Sequence, residues 1–460
     1  MKKSLKFYFA LFTAKCIILL QKLLKMRGTH FAGKMAIKLC PDFLGMIDKP
    51  KCIIGVTGTN GKTTVCNLLI DILKANGVKL LDNNAGANTN AGIASALIKG
   101  AGIFGRTKYS TAILEIDERS SIRVFPYIKP TYLICTNLFR DSIRRNAHAE
   151  YIFDMLNKTL PDTTKLILNA DDLISSRLKI NNDRVYFGID KLDTDYNGAS
   201  DNIINDIRVC PNCYAKLDYE YSRYHHIGKA HCSNCGFASP RPNYLANVNF
   251  DNMTMNVKSS SGSLDYHLIS NSIFNAYNQL AAIAFLREYG FTDKQIADSF
   301  KGIKIVESRY SSVNVNGIEV ITNMTKGQNP VACSCVFKYV SEQDGNKEVV
   351  LMLDDAFDRK DSSENMTWIY DADFEFLNKD NITNIIVTGV RCSDYKLRLL
   401  IAGVDENKIQ TITAEADAHK LLKLKDTDKI YILHEMYVAT EMAEGRKLII
   451  DKVSNGGAKL

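Results

Sequence analysis

A chain of 460 residues is too long for one ordinary domain and reads as about three. Its 46% apolar and 24% charged residues fit a soluble globular protein and exclude a disordered one. A formal charge of +7 suits anionic ligands such as nucleotides but is too modest to argue for nucleic acid.

Residues 1–48 form a basic, helical lead-in. Phe7–Ala14 and Cys16–Leu20 are apolar, but Lys15 and Lys22, seven residues apart, interrupt the run on one helix face. A membrane span needs about 20 mostly apolar residues. The expectation is an amphipathic helix, either packed on the body of the protein or lying against a membrane surface. Lys51–Thr57 then reads as a buried strand and Thr63–Ala75 as a helix. Short β-branched runs follow at 112–116, 132–136 and 165–169, with helical stretches between them. This alternation argues for a mostly parallel sheet covered on both faces. Residues 205–240 break the pattern with cysteine, tyrosine and histidine. Residues 244–270 alternate like strands, with a hairpin loop at Lys258–Gly262, and Phe274–Tyr289 is helical. A second α/β region occupies 305–460, with strands at 348–353, 385–388 and 429–433. The expected organisation is a central nucleotide-binding domain over 49–304, an insertion at 205–240 within it, and a Rossmann-like C-terminal domain over 305–460.

Two motifs carry chemistry. Val56-Thr57-Gly58-Thr59-Asn60-Gly61-Lys62-Thr63 fits the phosphate-loop pattern at every fixed position except the first glycine, where Val56 stands. Phosphate oxygens need backbone N–H groups, and glycines let the chain approach and turn. Lys62 then neutralises phosphate, and Thr63 or Thr64 ligates Mg²⁺. The second motif is Cys210-x-x-Cys213 and Cys232-x-x-Cys235, separated by 18 residues. Two such knuckles read as a tetrahedral four-thiolate Zn²⁺ site of structural type, against disulfides or an iron–sulfur centre. His225, His226 and His231 read as bystanders. Arg208, Lys216, Arg223, Lys229 and Arg241 leave a nucleic-acid role for this ribbon as a minority reading. The other eight cysteines read as reduced, buried residues of a cytosolic protein.

Thr57-Gly58-Thr59-Asn60-Gly61-Lys62-Thr63-Thr64 resembles the loop of the Mur ligase superfamily, which includes the peptidoglycan stem-peptide ligases and folylpolyglutamate synthase. The resemblance implies transfer of the γ-phosphate of ATP to a carboxylate, followed by attack of an amine. It implies nucleotide contacts from Gly58, Thr59, Asn60, Gly61, Lys62, Thr63 and Thr64, with Mg²⁺ on Thr63 and Glu115. Asn275 and Asn278, with Ala281-Ala282, resemble the superfamily helix whose amides contact nucleotide; Tyr277 and Gln279 lie in the same run. Asn88-Thr89 and Asn169-Ala170-Asp171-Asp172 are further family-like stretches.

Thr136-Asn137-Leu138-Phe139-Arg140-Asp141 and the four-cysteine insertion resemble the MurT family of synthetase subunits. That resemblance spans about residues 28–440. It implies a cytoplasmic heterodimer with a GatD-like glutaminase, at the inner face of the membrane only if the first helix lies on a membrane surface. The subunit would amidate the α-carboxylate of D-glutamate in the lipid II stem peptide to D-isoglutamine. It also implies that a C-terminal carboxylate completes the partner's Cys–His pair. Aligned from Trp368, Asp371 is the first candidate, with Asp355 and Asp358 next. The C-terminal half departs from the family pattern: the Asp354–Asp371 segment is about three residues longer than that pattern, and Glu307-Ser308-Arg309-Tyr310 replaces a Gly-Arg-x-Glu run. The alternative function is a stand-alone Mur- or folylpolyglutamate-type ligase joining an amino acid to a carboxylate. A third is a nucleotide-gated module that holds nucleic acid through the ribbon.

Overall fold

The computed structural model describes residues 2–26, 30–84, 88–141, 148–303, 310–325, 328–354 and 366–456. The chain divides into two compact units. The first comprises Met1–Phe139, Ala149–Ser200 and Asp206–Ile305; the second comprises Arg140–His148, Asp201–Asn205 and Val306–Leu460.

The first unit is built on β1 (Cys52–Thr57), β2 (Leu80–Asp82), β3 (Thr111–Glu115), β4 (Tyr132–Cys135), β5 (Lys165–Asn169) and β6 (Arg184–Ile189). A small sheet follows, of β7 (Tyr196–Asn197), β8 (Asp218–Tyr224) and β9 (Ile227–His231). Then come β10 (Tyr244–Asn249), β11 (Thr254–Ser259) and β12 (Gly262–His267). The main sheet has nine strands in the order β12-β11-β10-β6-β5-β4-β1-β3-β2. Pairing is parallel from β2 to β10, and β11 and β12 close the edge as an antiparallel meander. Ile53, Ile54 and Val56 of β1 are buried, as a β-branched run must be in a parallel sheet covered on both faces. β1 lies between β3 and β4, so the chain order reverses beside it, and a crevice opens at the carboxyl end of such a strand.

The lead-in consists of α1 (Leu5–Leu23), α2 (Phe31–Leu39) and α3 (Phe43–Met46). The phosphate-loop helix is α4 (Lys62–Ala75), and α5 (Asn90–Gly100) follows β2. α1 buries Phe7, Ala10, Leu11 and Ala14, one face at helical spacing. Lys15 does not interrupt the exposed side of this helix as its place in the sequence suggests. Its ammonium turns inward and donates to the carbonyl oxygens of Ile98 and Ala101 at 3.1 and 2.7 Å, satisfying the end of α5. α2 and α5 meet at Gly33, whose N–H donates to Ser95 Oγ at 2.8 Å. A Cβ at Gly33 would stand 1.9 Å from the Ala91 carbonyl oxygen, so only glycine permits this approach.

The second unit carries β13 (Tyr310–Val315), β14 (Ile318–Met324), β15 (Lys347–Met352), β16 (Ile382–Thr388), β17 (Ile409–Ile412) and β18 (Lys429–His434). Their order is β13-β14-β18-β15-β16-β17, parallel except for the β13–β14 hairpin. Val349, Leu351, Ile385, Val387 and Leu433 face one core with Phe337 and Trp368; Val350, Met352, Ile386 and Ile432 face the other with Ile449 and Val453. Side chains alternate across the strands, so both faces must be covered. The expected α/β architecture with a second Rossmann-like domain is the observed one.

Gly33→Ala should therefore lower the unfolding midpoint, by an amount on the order of 1–3 kcal/mol, because an overpacked helix contact has no room to relax. Chemical denaturation of the two proteins tests this; equal midpoints would remove the steric argument.

Candidate active site

The phosphate loop joins β1 to α4. Gly58 and Gly61 take φ values of 125° and 89°, in the region that disfavours any side chain. A Cβ on Gly58 would lie 2.2 Å from Thr136 Oγ1, and one on Gly61 2.1 Å from Asn278 Oδ1. The backbone is thus bare where a phosphate group would approach, and it leads into the N-terminus of α4. The loop is clamped from the end of β4. The Thr136 hydroxyl and the Asn137 amide donate to the Asn60 carbonyl at 2.6 and 3.1 Å, and Asn60 N–H donates to Asn137 Oδ1 at 3.0 Å. Thr59 N–H donates to the Asn137 carbonyl at 2.9 Å, and Phe139 N–H to Thr59 Oγ1 at 2.9 Å. The Thr136–Phe139 run that marks the family in the sequence is therefore also the brace of the loop.

Lys62 Nζ lies 2.8 Å from Glu118 Oε1 and donates to the Gly58 carbonyl, with 11% of its side chain exposed. Burial works against the ammonium, but Glu118, with Glu115 and Asp117 behind it, outweighs burial and holds its pKa above the ordinary lysine value. Burial also pushes the Glu118 carboxyl up, with Lys62 opposing. Glu118 carries more weight here than its sequence position suggested. It opens the 118–120 turn, where Asp117 caps by accepting from Ser120 N–H at 3.1 Å. That turn, which the local sequence announces only weakly, sends Glu118 back toward Lys62.

Glu115 ends β3 opposite Val56. Its two oxygens accept from the Thr63 hydroxyl at 2.9 Å and the Asn88 amide at 3.1 Å. Asn83 fixes its backbone through two 2.8 Å bonds, to the Glu115 carbonyl and from its N–H. One carboxylate and one hydroxyl at the mouth of a phosphate loop form an oxygen donor set that fits Mg²⁺, which keeps waters and substrate oxygens as its other ligands. On the helix Ile273–Tyr289, Asn278 and Asn275 lie 3.4 Å apart, with Asn278 against Gly61. Gln279 is instead spent on the His267 carbonyl at 2.8 Å, and Tyr277 on Asp171 at 2.6 Å.

A buried polar layer supports the loop from behind. Asp172 accepts from Leu138 N–H at 2.8 Å and faces His226 Nε2 at 3.1 Å. Burial disfavours the Asp172 carboxylate, but His226 and these donors hold its pKa below the ordinary value. His225 and His226 are fully buried, and the His226 ring packs 4.5 Å from Phe139. Among the described residues neither histidine joins the cysteine cluster; β8 and β9 fold back over the end of β5, and the turn between them delivers both rings to the loop's brace. Arg223 on β8 makes a two-pronged contact with Asp195 at 2.9 and 2.7 Å and meets Tyr277.

The four ribbon cysteines converge, with Sγ atoms all within 4.8 Å of one another. Cys210–Cys235 and Cys213–Cys232 are each at 3.5 Å. The two knuckles share one backbone form. Cys210 N–H donates to the Ala215 carbonyl and Tyr214 N–H to the Cys210 carbonyl; Cys232 and Gly236 repeat this with Phe237. Tyr214 and Gly236 both have positive φ. The Cys213 thiol is held below its ordinary value, first by the Asn234 side chain, while the neighbouring Cys235 thiol is held above it, so the four thiols titrate as one set. A zinc–sulfur bond of about 2.3 Å gives sulfur–sulfur edges of about 3.8 Å, so the cluster has the size for a tetrahedral ion.

In the second unit, Trp368–Asp371 is a short helix, and Asp371 accepts from Arg140 at 3.3 Å. Asp355 and Asp358 lie outside the described residues.

Comparison with known proteins agrees with this geometry. Residues 56–286 match the Mur ligase middle domain. The pseudomurein peptide ligase type C of Methanothermus fervidus shares the fold, with a TM-score of 0.64 at 22% identity over 89% of this chain and 80% of that one. MurF of Thermotoga maritima in complex with ADP gives 0.57 at 15% identity, covering 93% and 85%. Fold and loop thus define a ligase of the Mur type, a class whose fold implies ATP and Mg²⁺. Residues 327–439 match the MurT ligase C-terminal domain, so the half that looked divergent is also accounted for. The chain is 36% identical over 401 residues, 86% of each protein, to the lipid II isoglutaminyl synthase (glutamine-hydrolyzing) subunit MurT of Staphylococcus aureus. To the subunit of the same name from Streptococcus pneumoniae it is 29% identical over 429 residues, 93% of each. The chain belongs to the MurT family.

Asn137→Ala removes both side-chain bonds to Asn60, at about 1 kcal/mol per bond, and should weaken ADP binding by up to roughly thirtyfold, with a lower unfolding midpoint. Calorimetric titration with ADP measures this; unchanged affinity would mean the loop holds its shape without the clamp.

Proposed function

We propose that this chain is the synthetase subunit of a glutamine-dependent enzyme that amidates lipid II. The α-carboxylate of D-glutamate in the stem peptide attacks the γ-phosphorus of ATP, and ADP leaves. Ammonia then attacks the acyl carbon of the resulting acyl phosphate, loses a proton and expels phosphate, and D-isoglutamine remains. The observation that carries this reading is the convergence of Lys62, Thr63 and Glu115 on a bare-backbone loop in a chain that matches the Mur ligase middle domain and, after it, the MurT C-terminal domain.

In this reading Lys62 exchanges Glu118 for phosphate oxygens, and the N–H groups of Gly58 to Thr64 cradle the phosphates. Thr63 and Glu115 would hold Mg²⁺, whose charge would offset that of the phosphate oxygens. Asn275 and Asn278 contact the nucleotide. Ammonia comes from a GatD-like glutaminase in a heterodimer, at the cytoplasmic face of the membrane where the substrate's lipid is anchored. A C-terminal carboxylate orients the glutaminase histidine; Asp371 is the first choice, then Asp355 and Asp358.

The test compares ammonium chloride with glutamine plus the glutaminase, using lipid II and mass spectrometry. The product should be lighter by the difference between a hydroxyl and an amino group. Lys62→Ala should lower turnover with either nitrogen source by roughly 10² or more. Asp371→Asn should lower only the glutamine-driven rate. Loss of both rates in Asp371→Asn would reassign that carboxylate to its Arg140 contact, and no mass change with lipid II would reject the substrate.

The four thiolates hold one structural Zn²⁺, which fastens the two knuckles and so positions the β8–β9 turn. Metal analysis of the purified chain should find about one zinc per molecule. Cys210→Ser should release it and lower the unfolding midpoint. A chain that holds no zinc, or that holds iron, would reject this assignment.

A further inference from the structure

We propose that the outer face of α1, with the turn at Ile103 and Phe104, is a docking surface for an anionic lipid bilayer. The inner face of this helix is buried. Its outer face carries Leu5, Phe9, Phe12, Leu19, Leu20 and Leu23, which are 56–88% exposed. At about 100° per residue these six fall in one stripe roughly 100° wide. A helix that is apolar all round belongs in a core or in a membrane; half of α1 is in a core. Lys15, midway along, is drawn away from the stripe by the Ile98 and Ala101 carbonyls. Ile103 and Phe104 extend the apolar surface at 73% and 65% exposure. They stand beside the start of α1, where Lys3 Nζ donates to the Phe104 carbonyl at 3.2 Å. An exposed apolar surface of this extent marks an interaction site.

Charge selects the occupant. Residues 1–41 hold nine of the chain's 58 lysines and arginines and none of its 51 acidic residues. The remaining 419 residues therefore carry 49 basic against 51 acidic side chains, so the positive charge of the protein comes from this lead-in. By the same helical count Lys6 and Lys22 flank the stripe on opposite edges, both exposed, with Lys2 and Lys25 at its ends. With no acidic side chain among residues 1–41, a lysine fringe around an apolar stripe suits anionic headgroups, with the ammonium groups reaching phosphate while the apolar side chains enter the acyl boundary. No helix among the described residues is long and apolar enough to cross a membrane, so α1 would lie in the plane of the surface. The lipid-anchored substrate points the same way, and that strand of the case rests on the proposed function.

The test is sedimentation of the full chain with vesicles of phosphatidylethanolamine and phosphatidylglycerol, without nucleotide or substrate. Binding should require the anionic lipid and weaken with salt. Phe9→Ser with Phe12→Ser should reduce it roughly tenfold or more, and Lys6→Gln with Lys22→Gln should reduce it on anionic vesicles, all at unchanged unfolding midpoints. A wild-type chain that stays in the supernatant at low salt, or a double phenylalanine variant that binds as wild type does, would overturn the proposal. So would loss of vesicle binding when the glutaminase subunit is bound, or a dimer abolished by the phenylalanine changes with no vesicle binding, since each assigns the face to a protein. Because the vesicles carry no substrate, binding without amidation activity would reject only the proposed function.

Discussion

Strand β1 has a parallel partner on each side, and both registers converge on the phosphate loop. Pairing with β3 sets Val56 beside Glu115, and pairing with β4 sets Thr57 beside Cys135, one residue before the clamp begins. A parallel ladder tolerates no one-residue slip without turning every buried side chain to the wrong face. The burial of β1, β3 and β4 therefore fixes how far Glu115 stands from Thr63, and where Thr136 and Asn137 meet Asn60.

Electrostatics then decides which groups share this space. A buried ammonium is costly unless an anion faces it. Lys62 has Glu118 at 2.8 Å and loop carbonyls beside it, so its charge is kept and its amine is held over the bare backbone. The carboxylates divide by environment. Glu115 is half-buried and keeps both oxygens at the mouth, as a metal ligand requires, while Glu118 is buried against the lysine. A second buried layer, from Asp172 and His226 to Arg223 and Asp195, carries no group to the mouth of the loop. Its effect is to hold the brace residues Leu138 and Phe139 in place, and it ties the cysteine ribbon to the nucleotide site through β8 and β9.

Much of the central sheet could be read directly from the chain. The runs at 51–57, 112–116, 132–136 and 165–169 are β-branched and short, and each became a strand within a residue or two. The two Cys-x-x-Cys knuckles announced their own cluster, because a knuckle's geometry is local. Glu118 and the histidines were less legible. A carboxylate three residues beyond a strand end carries no periodic signal, and a histidine pair in a polar insertion looks solvated until the insertion folds back. Asn275 and Asn278 differ from Tyr277 and Gln279 only in which way the helix faces, which requires knowing what packs on it.

What the sequence by itself determined is whatever depends on short-range pattern: the strand–loop–helix of the phosphate site, the four-thiolate cluster, the α/β class and the family. What only the tertiary structure decided is which side chains leave their own element to meet another. Lys15 turns from solvent to cap α5, Glu118 turns back on Lys62, and Thr136 and Asn137 reach across to Asn60. Each of these contacts spans 56 to 86 positions of chain, and their partners are specified by sheet register and helix packing rather than by neighbours in sequence.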